Sequence, residues 1–199
     1  MVHDIKSGIR GLIFDLDGTL ADTMPYHFRG WQVACSKYGA EIDPAFLRKY
    51  TGTPGWIIAR EIIQTCGLNG NVTVEQIMND KLAEFYRQIH LIKAIPPVVE
   101  IVKKYYGVLP MAVGTGGHRE AVERTLQMTD LRKYFRIIIT ANDVQNFKPH
   151  PETFLKCAEQ MDVEPRFIQV FEDAELGIEA ARNAGMTVTD VSSWYESDW

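Results

Sequence analysis

The alternation of short apolar runs with helix-like stretches constrains this chain more than any other feature. Five runs rich in β-branched residues recur, at Gly11 to Asp15, Met111 to Thr115, Ile137 to Ala141, Phe167 to Phe171 and Met186 to Asp190. Each is short enough for a strand and apolar enough for burial on both faces. Helices are predicted between the last four, at Gly117 to Met128, Pro151 to Met161 and Glu175 to Ala184, the last closed by Gly185. Strands alternating with helices in this way build a parallel sheet covered on both faces, an α/β fold of Rossmann-like type.

The first interval breaks the pattern. More than ninety residues separate Asp15 from Met111, where a crossover needs only about a dozen. The excess reads as helical. A helix near Tyr26 to Tyr38 carries Phe28, Trp31 and Cys35 on one face and ends at Gly39. Asp43-Pro44 and Thr53-Pro54 read as N-cap and N1-proline pairs. Thr73 to Gln76 is a capping box leading into Leu82, Phe85, Ile89 and Ile92. Pro96-Pro97 then opens the true crossover helix, running to Tyr106. The expectation is a four-helix insertion at 23–93, seated on a core formed by 1–22 and 94–199. The insertion carries eight Lys/Arg against six Asp/Glu and the remainder thirteen against twenty, a split that chance distribution of surface charge also produces.

Composition narrows the classes. The 199 residues, 46% hydrophobic, suffice for one good core and a small satellite. No apolar run approaches the ~20 residues of a membrane span, and "MVHDIKSGIR" lacks the apolar centre of a signal peptide. A cytoplasmic protein without a membrane partner is expected. Cys35, Cys66 and Cys157 fall in no CxxC spacing and read as reduced structural thiols. A net charge of −5 argues against a nucleic-acid surface. The expected state is a monomer or weak homo-oligomer.

The first strand ends oddly, in "GLIFDLDGTLADT". Residues i and i+2 of a strand share a face about 6.7 Å apart. Two carboxylates at that spacing repel by roughly 2.5 kcal/mol at an effective dielectric near 20. A fold tolerates Asp15 and Asp17 there if a cation lies between them, if one is held protonated, or if the strand has ended and the second turns away.

Ligands of open α/β sheets bind outside the carboxyl ends of the strands. Those ends deliver Asp15, Asp17, Gly18 and Thr19 from the first run, Thr115, Gly116 and Gly117 from the second, and Glu172 and Asp173 from the fourth, with Lys148-Pro149 in a neighbouring loop. Taken singly, each has a plainer role as a turn residue, a helix cap or a solvated lysine. Together they supply hard oxygen ligands of the kind Mg²⁺ prefers, a carboxylate nucleophile, a hydroxyl and amide cradle for phosphate, and an ammonium. That is a phosphoryl-transfer set. "GTGG" is no dinucleotide fingerprint, because Arg119 stands where the third glycine belongs.

These residues resemble the haloacid dehalogenase superfamily over roughly Gly11 to Val191. "DLDGT" is similar to its first motif, Thr115 after an apolar strand to its second, Lys148-Pro149 to its third, and "FEDAELGIEAARNAG" to its fourth, in the form of the β-phosphoglucomutase-like subgroup. The resemblance implies a Rossmann-like core with a helical cap inserted after the first motif. It implies Asp15 as nucleophile and Mg²⁺ ligand, and Asp17 as general acid and base that also binds Mg²⁺ through its main-chain carbonyl. It implies Thr115 and Lys148 as holders of the phosphoryl group, Glu172 and Asp173 as completing the metal shell, and Gly18 and Thr19 as shaping the loop.

The substrate of such a protein is a small phosphorylated metabolite, and the resemblance places Gly52, Gly116 and Gly117 at its binding site. "DTMPYHFRGWQVACSKYG", with His27, is similar to the mutase stretch, and Lys81 falls where the mutase cap has a lysine. In "GTPGWIIA", however, Gly55 stands where mutases carry the arginine that grips a second phosphate. That loop and "AVGTG" look more like bacterial sugar phosphatases acting on fructose 1-phosphate. Hydrolysis is expected over the alternative, isomerisation of β-glucose 1-phosphate to glucose 6-phosphate. A phosphoryl-aspartate signalling module or a silent sugar-phosphate binder fits less well, since receivers lack a seventy-residue insertion and every catalytic type is present here. Arg60, Arg87 and Lys93 are open candidates to reach substrate from the cap. His3, His90, His118 and His150 form no ligand spacing, and the aromatic tail "SSWYESDW" is left to pack on the core or a partner.

Overall fold

The computed structural model describes residues 5–68 and 70–197, so His3 and Trp199 lie outside the described residues. Five strands, β1 (Gly11–Phe14), β2 (Met111–Gly114), β3 (Ile137–Ile139), β4 (Ile168–Glu172) and β5 (Thr187–Asp190), form one parallel sheet in the order β3-β2-β1-β4-β5. The central position of β1 explains its unbroken apolar run, because both of its faces and both of its edges are covered. Its side chains alternate between two cores. Leu12 and Phe14 join the layer under α5 (Pro96–Tyr105) and α6 (Arg119–Met128), whereas Ile13 joins the layer under α7 (Glu152–Met161) and α8 (Glu175–Asn183).

The expected strands and core helices appear with ends shifted by one or two residues, the ordinary fraying of element boundaries. One shift matters for chemistry. The first strand stops at Phe14 and the fourth runs on to Glu172, so Asp15 and Glu172 sit side by side at the sheet's carboxyl edge. Gly185 follows α8 at a φ of 73°, as a C-terminal glycine should.

Between β1 and α5 the chain makes α1 (Met24–Ser36), α2 (Pro44–Arg48), α3 (Gly55–Thr65), α4 (Val74–Gln88) and a 3-10 turn at Ile89–Leu91. Asp43 caps α2 by accepting from the Ala45 N–H at 2.7 Å, and Thr73 and Gln76 form the reciprocal capping box of α4. Thr53 does not cap α3. Its hydroxyl donates back to the Tyr50 carbonyl at 2.7 Å and Pro54 takes the cap position, because the Thr53 side chain closes the preceding turn instead. Trp31, Ala34, Cys35, Ile58, Ile62 and Ile77 belong to a third apolar cluster separate from the two that flank the sheet. All three cysteines are free thiols. No helix among the described residues is long and apolar enough to cross a membrane.

The two connecting strands of chain run together. Ala21 bridges Ala94, the Asp22 N–H donates to the Lys93 carbonyl at 2.9 Å, and the Ile95 N–H donates to the Leu20 carbonyl at 3.0 Å. The C-terminal tail folds back onto this junction. The Trp194 ring packs edge-on to Phe171 in β4, and Tyr195 and Ser197 hydroxyls donate to the two Asp22 carboxylate oxygens at 3.2 and 2.7 Å.

Candidate active site

Asp15 leaves the end of β1 into a buried acidic cluster. Its carboxylate and those of Glu172 and Asp173 offer oxygens that all lie within 4.8 Å of one another, and they form the one such group among the described residues. Lys148 joins them from the loop before α7, its ammonium donating to Asp15 Oδ1 at 2.6 Å and to Glu172 Oε2 at 2.7 Å. Three carboxylates face one cation, with Asp15, Glu172 and Lys148 buried, which is costly unless further positive charge is present. The proton affinities register that imbalance. Burial, then repulsion from Glu172, holds the Asp15 carboxyl well above the usual carboxylate range, against the pull of Lys148. Burial and Glu172 push Asp173 up to about 7, although Thr19 donates to it at 2.7 Å. For Lys148, burial favours the neutral amine, but Asp15 and Glu172 outweigh it and raise the pKa. Gly18, at a φ of 87°, brings the backbone so close to Asp173 that a Cβ there would overlap the carboxylate. A cluster of hard oxygen donors with surplus negative charge fits a divalent cation.

Asp17 turns the other way, which is how the chain avoids the repulsion its spacing implied. Its Oδ1 accepts from the Thr23 hydroxyl at 2.8 Å and lies 3.2 Å from His27 Nε2, and Lys81 Nζ lies 2.7 Å from His27 Nδ1. An ammonium only donates, so Nδ1 accepts, and Nε2 carries the proton directed at Asp17. The imidazole stacks flat on Phe85, with ring centroids 4.2 Å apart. Burial and the Lys81 charge lower the His27 pKa, more than Asp17 restores it. Burial likewise presses Lys81 down to about 8, with Asp17 partly opposing. Burial alone would raise the Asp17 carboxyl, but the His27 and Thr23 interactions carry it below its ordinary value. The chain Lys81–His27–Asp17 thus fixes the orientation of the Asp17 carboxylate and favours its ionised form.

Between these two groups lies the turn after β2. Thr115 is buried, and its Oγ1 accepts from the Gly117 N–H at 3.0 Å. A Cβ on Gly117 would sit 3.4 Å from both Thr115 Oγ1 and Asp17 Oδ2, so the second Asp17 oxygen faces this turn. The turn leads directly into α6, whose N-terminus suits an anion. The loop before α3 closes over it. A Cβ on Gly116 would fall inside contact distance of the Gly52 carbonyl, and Trp56 packs edge-on to Phe147, ring centroids 5.5 Å apart, beside Lys148.

One cavity joins these parts. Asp15, Asp17, His27, Gly52, Lys81, Thr115, Gly116, Gly117 and Glu172 all line it; Gly18, Thr19, Lys148 and Asp173 stand behind the lining. Arg60, Arg87 and Lys93 are exposed and do not line it. His118, which the sequence leaves without a ligand spacing, does line it, and its Nδ1 is buried without a hydrogen-bond partner. His90 and His150 lie exposed elsewhere. Sequence reasoning also missed Thr23, which reads as the cap of α1 but makes no cap bond because its hydroxyl serves Asp17. It missed the Trp56–Phe147 contact, since nothing local in either segment points to the other.

A family model described as haloacid dehalogenase-like hydrolase matches residues 12–191. The chain is 41% identical over 182 residues to the fructose-1-phosphate phosphatase YqaB of Escherichia coli K12, covering 91% of this chain and 95% of that protein. It is 33% identical over 193 residues to a phosphorylated carbohydrates phosphatase of Thermotoga maritima, covering 89% and 82%. Among solved structures it is similar to the β-phosphoglucomutase of Clostridium difficile, with a TM-score of 0.83, 24% identity and coverage of 95% and 88%, a likeness of fold.

Proposed function

The chain belongs to the haloacid dehalogenase-like hydrolases and is a phosphatase, and from that premise we propose that it hydrolyses small sugar phosphates, with fructose 1-phosphate as the model substrate, through a phosphoaspartate at Asp15. The observation that carries this reading is the pairing of two differently held aspartates at one cavity. Asp15 is fixed by Lys148 within the acidic cluster, and Asp17 by His27 and Thr23 opposite it.

An Asp15 carboxylate oxygen attacks phosphorus as the bond from phosphorus to the sugar oxygen breaks; Asp17, ionised in the free protein, takes up a proton as the anionic phosphate enters beside it and gives that proton to the sugar oxygen. Asp17 then takes a proton from water as the water oxygen attacks phosphorus, the Asp15–phosphorus bond breaks, and inorganic phosphate leaves with Asp17 protonated again. Thr115, the Gly116–Gly117 amides and Lys148 hold the phosphoryl oxygens. Asp15, Glu172, Asp173 and the Asp17 main-chain carbonyl would hold Mg²⁺, which when bound supplies positive charge to the phosphoryl oxygens. Residues 23–93 act as the cap, over a core of 1–22 and 94–199.

The substrate assignment is supported by the E. coli relative, whose identity extends along nine-tenths of this chain. Isomerisation is the competing outcome. Steady-state phosphate release from a panel of hexose phosphates with Mg²⁺ is expected to be fastest for fructose 1-phosphate. Conversion of β-glucose 1-phosphate to glucose 6-phosphate without net phosphate release would overturn hydrolysis as the reading.

A further inference from the structure

The two faces of the cavity differ in charge. The core face presents Asp15, Asp17 and Glu172, whereas the opposite wall, built by the inserted helices, is formed by Met24, Phe28, Trp31, Leu47, Met78 and Leu82. Among the described lining residues there is no arginine, and the single lysine is Lys81. Its ammonium is already engaged, donating to His27 Nδ1 at 2.7 Å and lying over the rings of Trp31 and Phe85 at 5.5 and 5.0 Å. In the neighbouring loop the Tyr50 hydroxyl is turned to Glu61 at 3.1 Å and the Thr53 hydroxyl to the Tyr50 carbonyl, and Thr51, which carries no charge, also lines the cavity.

A substrate bound with its phosphate at Thr115 must lay its alcohol against this wall. An alcohol that carried a second phosphate or a carboxylate would bring that charge out of water, near Asp17, with no cation to meet it. An uncharged alcohol has no such penalty, since its carbon skeleton covers apolar side chains. His118 also lines the cavity, and an imidazole serves a hydroxyl as donor or acceptor.

We propose that this site selects phosphate monoesters of uncharged alcohols and rejects esters whose leaving group is itself anionic, the discrimination residing in the apolar wall around Met78 and Leu82. The proposal rests on the phosphatase reading and narrows it to a class of leaving group.

The test compares kcat/KM for fructose 1-phosphate and fructose 1,6-bisphosphate, each with Mg²⁺, in the native protein and in Met78→Lys and Leu82→Lys. The native protein is expected to favour the monoester by about a hundredfold, and a lysine in the wall to narrow that ratio by about tenfold, chiefly by raising turnover of the bisphosphate. Two positions are used so that a misfolded variant at one leaves the other. Inhibition of the native protein supplies a measure that needs no variant, with the bisphosphate expected to compete far more weakly than the monoester. Native ratios within about threefold, or equal inhibition, overturn the proposal while leaving the phosphatase reading intact. Release of phosphate from neither ester, nor from p-nitrophenyl phosphate, overturns that reading and this inference with it.

Discussion

The core side and the helical side of one cavity are built on opposite physical terms. On the core side, Lys148 pairs with buried Asp15 and Glu172, and Asp173 beside them adds a third carboxylate to the cluster. On the helical side, Met78, Trp31 and Leu82 meet the cavity with apolar surface and ordinary van der Waals contact. The first kind of construction fixes where charge sits. The second fixes only a shape and a polarity. His27 and Lys81 span the boundary, since they belong to the inserted helices yet orient a carboxylate of the core.

Removing charges on the core side should break this contrast most severely. Asp15→Asn is expected to reduce phosphate release from p-nitrophenyl phosphate by about 10⁴-fold or more, with the circular dichroism spectrum unchanged. Retained activity would remove Asp15 as nucleophile. Lys148→Met is next, because it leaves Asp15 and Glu172 buried and unmatched. Urea unfolding should report a loss of about 3–5 kcal/mol, alongside loss of turnover. Mg²⁺ acts in the opposite direction on the same cluster. At saturating concentration it should raise the native protein's Tm by about 5 °C, a gain that EDTA reverses and Asp173→Asn abolishes.

Lys81 sharpens the comparison because it is a charge on the apolar side. Its pKa lies near 8 in the fold, below the ordinary 10.5, so between those values the unfolded chain binds more protons and stability rises with pH. The penalty for burying the ammonium is therefore fully present below pH 8. Lys81→Met should be no less stable than the native protein at pH 7 and should lose that upward slope, while kcat falls about 10- to 100-fold as His27 loses the donor that sets its tautomer. A parallel loss of stability and activity would make Lys81 merely structural. The smallest effects come from two glycines of the closing loop and its seat. Gly116→Ala drives a methyl into the Gly52 carbonyl, which is backbone and cannot yield, and should raise KM by about tenfold. Gly55→Ala meets the flexible end of Met78 at 2.9 Å, and a change of under about threefold is expected.

What the sequence revealed divides along the same boundary. The β–α alternation and the residues at the strand ends were legible because each is a local signal, an apolar run followed by a polar residue that a core strand would not otherwise carry. The Lys148 ammonium between Asp15 and Glu172 joins residues 133 and 24 positions apart, and only the topology brings them together. The helical side was harder. Its helices announced themselves through caps and prolines, but which face of each met the cavity depended on how four helices pack. Arg60, Arg87 and Lys93 are therefore open candidates in the sequence, although all three are exposed and none lines the cavity. His118 was set aside because one histidine makes no ligand pattern, and its unmatched nitrogen is visible only once burial is known.

Tyr195 and Ser197 tie the last turn of the chain to the carboxylate beside which the inserted helices depart and return. These two hydroxyls therefore bear on that joint from outside the cavity, since neither residue lines it. Near the other end of the chain, the Lys6 N–H donates to Gln169 at the start of β4, at the edge of the sheet away from the site. The two contacts thus brace opposite edges of one sheet, and only the first bears on the joint of the inserted helices.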